Sequence, residues 1–214
     1  MTDCRGPVAV VFDYGGVLAR SPAPEDFLPV AEEIGFTWDM YREGVGKYRL
    51  AYDSDQITCE DMYRRIAAEH GLTMTDGQCE RLCRADDESW LHPVPETLMW
   101  MKELKRAGYR VGILTNMATK FFDRCVRHVF AEHIALADAL VVSGKAGVSK
   151  PDARIYGLME GQIGASPEHI LFFDDNPLNV AGAKACGWNA AAWTSTEDAR
   201  ATLAKLSARR GAVE

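Results

Sequence analysis

Four short apolar runs, each followed at once by side chains able to do chemistry, constrain this chain more than any other feature. They are Val8–Phe12, Arg110–Leu114, Ala139–Val142 and Ile170–Phe173. Runs of four or five residues are too short for helices. Their continuous apolar character, without strict alternation, is the pattern of strands buried on both faces of a parallel sheet. A fifth, weaker run covers Ala190 to Trp193. From the second run onward helical patterns fill the gaps, over Pro95–Ala107, Thr119–Phe130, Asp152–Ile163 and Pro177–Cys186. Strands alternating with helices predict an α/β fold, a doubly wound parallel sheet. Ligands of such sheets bind beyond the carboxyl ends of the strands.

One gap breaks the rhythm. Between Ala19 and His92 there is no convincing strand, only helical signals. Thr58 with Asp61, and Thr75 with Gln78, have the spacing of capping boxes that open helices. Trp38, Tyr41, Tyr48 and Tyr52 recur at helical steps. A stretch of about seventy residues is far longer than an ordinary loop. The sequence therefore predicts a core built from residues 1–19 and 93–214, with a small helical domain over 20–92. Trp90-Leu91-His92-Pro93 reads as the return to the core, and the tail after Ser207 is expected to fray.

Composition narrows the partners. Twenty-four basic against 31 acidic residues leave a formal charge of −7, with no basic footprint for nucleic acid and no polybasic membrane anchor. The first apolar run is too short for a signal peptide or a membrane span. The six cysteines are scattered; Cys79 and Cys83, four apart, suit one helix face better than a metal knuckle. They read as reduced thiols in the cytoplasm. The five histidines have no ligand spacing. The oligomeric state is left open between monomer and weak dimer.

The chemistry collects at the strand ends. The first strand runs into Asp13-Tyr14-Gly15-Gly16, and the second into Thr115-Asn116. After the third comes the loop Ser143–Ser149, then Lys150-Pro151-Asp152; the fourth runs into Asp174-Asp175-Asn176. Singly, each has an ordinary structural reading. Thr115-Asn116 could cap the next helix, Lys150 is a loop lysine, and the Asp pair could cap the helix begun by Pro177. Together on one sheet edge they bring three carboxylates, a hydroxyl, an amide and an ammonium to one place. Adjacent carboxylates against an apolar run repel and need a counter-charge, which a hard cation such as Mg²⁺ supplies. Receiver domains of two-component signalling use similar groups, but there the Asp pair comes first and the lysine last. Here the order is lone Asp, Thr, Lys, Asp pair, with a helical insertion after the first strand.

In order and spacing these four segments resemble the haloacid dehalogenase-like hydrolase superfamily. Asp13, Thr115, Lys150 and Asp174-Asp175 match its four motifs, and residues 20–92 match its helical cap. The Phe172–Asn179 and Ser149–Tyr156 segments look especially like the branch holding small phosphatases and dehalogenases. The resemblance implies a Rossmann-like core and a phosphatase acting on a small phosphorylated metabolite, such as a sugar phosphate. Asp13 would be the nucleophile, passing through an aspartyl-phosphate. Thr115, the amide of Asn116 and Lys150 would bind the phosphoryl group. Mg²⁺ would be held by Asp13, the carbonyl of Gly15, and Asp175 with Asp174 beside it.

One departure bears on activity. Most phosphatases of the superfamily carry a second Asp two residues after the nucleophile, as general acid and base; here that position is Gly15. The alternatives are a phosphate-binding or regulatory protein with weak turnover, and a 2-haloacid dehalogenase. The latter is disfavoured because dehalogenases use no metal and usually carry Ser where this chain has Asp174. In the cap, Tyr48-Arg49 and Tyr52-Asp53 are the pairs to watch, since an Arg can hold a carboxylate or phosphate, although an aromatic stripe on a helix is more often the cap's own core.

Overall fold

The computed structural model describes residues 8–210, so Cys4 and residues 211–214 lie outside the described residues. Five strands, β1 (Ala9–Phe12), β2 (Arg110–Thr115), β3 (Ala139–Val142), β4 (Ile170–Asp174) and β5 (Asn189–Ala192), form one sheet. Its order is β3-β2-β1-β4-β5 and every pairing is parallel. Because side chains alternate across a strand, each apolar run feeds two cores. Val10, Phe12, Val111, Ile113, Leu171 and Phe173 face one side. Ala9, Val11, Leu114, Val141, Ile170 and Phe172 face the other, against Ile155, Tyr156, Met159 and Ile163 of the helix Ala153–Ile163.

Between β1 and β2 the chain forms α1 (Leu28–Ile34), α2 (Trp38–Asp53), α3 (Cys59–Glu69), α4 (Asp76–Ser89) and α5 (Pro95–Arg106). The capping boxes are present: Thr58 accepts from the Asp61 N–H and Thr75 from the Gln78 N–H. Such caps satisfy N–H groups that have no partner within the helix. The aromatic stripe lies on α2, where Trp38 stacks on Tyr41 at 4.7 Å and Tyr41 and Tyr52 are buried. Cys79 and Cys83 are both buried on α4, and the described cysteines are free. Around residues 19 and 93 the outgoing and returning chains run side by side: Ala19 bridges Pro93, and the Val94 N–H donates to the Leu18 carbonyl at 2.8 Å. No helix is long and apolar enough to cross a membrane among the described residues.

Three local expectations are corrected. The helix expected over Thr119–Phe130 is interrupted by a widened π-type turn at Phe122–Val126, which sets both end residues of that turn into the core. The loop after β3 starts with a helical turn, Ser143–Ala146, closed by Gly147 at φ +67°. A helix runs past Ser207, spanning Thr196–Arg210, capped by Ser195 through the Asp198 N–H and anchored by buried Ala199 and Leu203; the rest of the expected tail lies outside the described residues.

Candidate active site

Asp13 is placed by the strand ladder itself. Its N–H continues the β1–β4 pairing by donating to the Phe173 carbonyl at 2.9 Å, so the side chain leaves β1 at the carboxyl edge of the sheet. The Tyr14 N–H donates to Asp13 Oδ1 at 2.6 Å. Two glycines follow because there is no room for anything else. A Cβ on Gly15 would lie 2.9 Å from the Trp90 ring, and one on Gly16, at φ +70°, would lie 2.6 Å from Asp175 Oδ2. Only glycine combines that backbone with such close approach.

Lys150 is the hub. Fully buried, its Nζ donates to the Leu114 carbonyl at 2.9 Å and to Asp174 Oδ2 at 2.6 Å, and lies 2.7 Å from Asp13 Oδ1. Burial opposes the ammonium, but Asp13 and Asp174 outweigh it and hold Lys150 above the ordinary lysine range. The loop that delivers it, with a cis Lys150–Pro151 peptide, is clipped by Asn116. The Asn116 side chain accepts from the Lys150 N–H at 2.8 Å and donates to the Lys150 carbonyl at 2.9 Å. That commitment was not legible in the sequence. The Asn116 side-chain amide is spent on the loop, so any contact with an oxyanion falls to its main-chain N–H.

The Asp pair divides its labour. Asp174 is wholly buried, and both its oxygens are engaged, by Lys150, by the Asn176 N–H and by Asn179 Nδ2. Asp175, the exposed member of the pair, turns toward Gly16. Oxygens of Asp13, Asp174 and Asp175 all lie within 4.8 Å of one another. Burial, reinforced by the other two carboxylates and opposed by Lys150, pushes Asp13 up to about 8. Three carboxylates share one ammonium, so the cluster carries excess negative charge.

An open cleft of about 620 Å³ covers this edge, between Asp13, Thr115, Lys150 and Asp175 and a wall formed by Val45, Arg49, Leu50 and Asp53 of α2 with Trp90. Of the four cap residues singled out, the structure brings Arg49 and Asp53 to the cleft and not Tyr48 and Tyr52. Tyr48 donates to Glu69, and Tyr52 packs in the insertion's own core. Arg49 pairs with buried Asp86 at 2.7 Å and lies over the Trp90 ring at 5.2 Å. Two residues went unread. Ser143, at the end of β3, accepts from the Met117 N–H and donates to the Asp53 carbonyl at 2.7 Å; a small polar residue at a strand end was the available signal. Trp90, read as part of a return segment, fills the space beside Gly15.

The crowding at Gly15 makes a prediction. Gly15→Asp alone should not raise phosphate-ester turnover, because its Cβ runs into the indole, and overpacking should cost about 1–3 kcal/mol of stability. Thermal unfolding and turnover of an alkyl phosphate read both. A faster, equally stable variant would show that the ring swings aside.

A five-stranded parallel sheet with an acid–lysine cluster at its carboxyl edge and helices inserted after β1 is a Rossmann-like α/β architecture with a candidate active site. The chain belongs to the haloacid dehalogenase-like hydrolases, whose family model matches residues 7–187. It is similar to Phosphatase MT3486 from Mycobacterium tuberculosis, 30% identical over 190 residues and 85% of each chain. It is also similar to the (S)-2-haloacid dehalogenase of Pseudomonas sp. strain YL, 30% identical over 185 residues, 83% of this chain and 75% of that one. Among solved structures, a HAD-like family hydrolase from Porphyromonas gingivalis superposes with a TM-score of 0.67 at 22% identity, covering 94% of this chain and 97% of that one.

Proposed function

We propose that this hydrolase is a Mg²⁺-dependent phosphatase of a small phosphorylated metabolite. The observation that carries the reading is the Asp174–Asp175 pair beside Asp13, with oxygens within 4.8 Å and a single ammonium to balance them. A site that works without metal has little use for that surplus of carboxylate. The donor set fits a hard divalent cation, which takes carboxylate and carbonyl oxygens. Asp13, the Gly15 carbonyl and Asp175 would hold it, with Asp174 anchoring Lys150 beside them. Bound there, Mg²⁺ would keep Asp13 ionised and offset the charge of the incoming phosphate.

The chain's own groups supply the rest. Asp13 attacks phosphorus in line, giving an aspartyl-phosphate that water then hydrolyses. The Thr115 hydroxyl and the Asn116 main-chain N–H hold phosphoryl oxygens, and Lys150 balances charge that builds between nucleophile and phosphate. Residues 20–92 act as a cap that closes the site over a leaving group of about monosaccharide size.

Dehalogenase relatives favour a second reading, in which Asp13 displaces halide from a 2-haloacid by the same nucleophilic step. One experiment separates the two. The protein is incubated with an aryl phosphate, a sugar 1-phosphate and 2-chloropropionate, each with and without Mg²⁺, and phosphate and chloride are measured. Phosphate release that needs Mg²⁺ is expected. Chloride release without metal would overturn the reading, and neither product from a folded protein would move it to the binding role.

A further inference from the structure

We propose that the Asp53 carboxyl, on the α2 wall of the cleft, protonates the leaving-group oxygen and later takes the proton of the attacking water, in place of the side chain that Gly15 lacks. The inference rests on the phosphatase reading and names a residue of that same site.

Elimination within the cleft leads to it. Among the described residues lining the cleft, the side chains able to exchange a proton are Asp13, Tyr14, Arg49, Asp53, Lys150 and Asp175. Asp13 is the nucleophile and Asp175 faces the cation position. Lys150 is locked between Asp13, Asp174 and the Leu114 carbonyl. The Tyr14 hydroxyl donates to the Trp90 carbonyl at 2.6 Å, and burial pushes it far above the ordinary tyrosine range. Arg49 stays charged, since Asp86 and Asp53 outweigh the burial that opposes it. Asp53 is left, and no histidine lines the cleft to compete with it.

Position and protonation both suit the role. Although Asp53 belongs to the insertion, three consecutive residues at the end of α2 are pinned to the loops that form the phosphate side. The Asp53 carbonyl accepts from Ser143 at 2.7 Å, the Ser54 hydroxyl lies 3.0 Å from that of Ser149 beside Lys150, and Asp55 Oδ1 accepts from the Thr119 N–H at 3.0 Å. A group held by such supports is set before substrate arrives. Its side chain is 14% exposed, and its nearest ionic partner, Arg49 Nε, is 3.6 Å from Oδ1. The charges facing it are Arg49 of α2, Asp86 of α4, Lys150 of the loop after β3, and Asp55 of its own turn. Burial outweighs Arg49, Asp86 adds to it, and Asp53 is pushed up to about 7. A carboxyl poised there exchanges protons near neutral pH, where general acid–base help is most effective.

The balance is complete without another reactant. As the Asp13–phosphorus bond forms and the ester phosphorus–oxygen bond breaks, the Asp53 proton passes to the departing oxygen. Water then attacks the aspartyl-phosphate, its proton returns to Asp53, and Asp13 and phosphate separate.

The test is a leaving-group series of aryl and alkyl phosphate monoesters with Mg²⁺, following the first-turnover release of alcohol or phenol by wild type and Asp53→Asn. The variant is expected to lose about 10²–10⁴-fold on alkyl esters and to keep most of its rate on aryl esters of low pKa. The dependence of rate on leaving-group pKa therefore steepens. An unchanged slope overturns the proposal, whether or not all rates fall together. The wild type alone gives a second measurement should the variant not fold. Alkyl-ester release needs protonated Asp53 and should fall as pH rises above about 7, while aryl release stays level. Identical profiles for the two classes overturn the assignment. No release by wild type from any ester defeats the phosphatase reading instead, and Asp53 with it.

Discussion

On the phosphatase reading, Asp13→Asn should give a folded protein whose Mg²⁺-dependent phosphate release is lower by about 10⁴-fold or more, since it removes the proposed nucleophile. Asparagine keeps the shape and can still accept the Tyr14 N–H, while Lys150 retains Asp174 and the Leu114 carbonyl. Stability should respond in the opposite sense to activity. In the metal-free protein Asp13 holds its proton up to about 8, whereas in the unfolded chain it loses it near the ordinary aspartate value. The native state therefore binds more protons across that window, and wild-type stability falls as pH rises through it. The asparagine variant lacks that slope. Its unfolding midpoint in chelator at neutral pH should match or exceed the wild type. Phosphate release at the wild-type rate would remove Asp13 from the mechanism.

Lys150→Met should damage both properties. The methionine side chain fills similar space, but Asp174 is left as a buried carboxylate without its ammonium, and Asp13 loses the charge that eases its ionisation. Breaking a buried ion pair from one side costs about 3–5 kcal/mol. Turnover should fall by about 10³-fold through loss of charge compensation at the phosphoryl group. A second substitution separates the two effects. Adding Asp174→Asn removes one orphaned charge and keeps a partner for the Asn176 N–H, so much of the stability returns while turnover does not. Denaturant unfolding of the single and double variants, with phosphate release beside it, measures both. Recovery of turnover in the double variant would mean that Lys150 only neutralises Asp174.

The strands were legible because parallel strands buried on both faces leave an unbroken apolar run, as Ile170–Phe173 does. β1 to β4 were placed to within a residue and β5 to a one-residue shift. The capping boxes of α3 and α4 were legible for a similar reason, since a local hydrogen bond fixes the spacing of its two residues. The π-type turn at Phe122–Val126 was not, because an apolar helical pattern looks the same with one extra residue per turn. At the site, residue types at strand ends could be read, but not how they are spent. That Asn116 holds the Lys150 loop, and that Trp90 fills the place beside Gly15, are contacts between residues 34 and 75 positions apart. Local spacing carries no record of them. Asp53 was singled out only as one of four residues on α2; that it and Arg49 reach the cleft while Tyr48 and Tyr52 do not is likewise absent from local spacing.

The clasp at the end of α2 gives the insertion a third attachment, besides the two crossings near residues 19 and 93. Ser143, Ser149 and Thr119 on one side meet Asp53, Ser54 and Asp55 on the other. Opening the cleft wide at that end means giving up three hydrogen bonds, each with a net worth of about 0.5–1.5 kcal/mol. Latch and proposed acid thus share one short stretch of chain. With Asp53 as the proposed acid, an opened clasp would carry the proton donor away, and an acyl phosphate formed in that state would outlive one formed behind a closed cleft. The clasp would then work as a clock as well as a lock, giving hydrolysis its chance before the products leave.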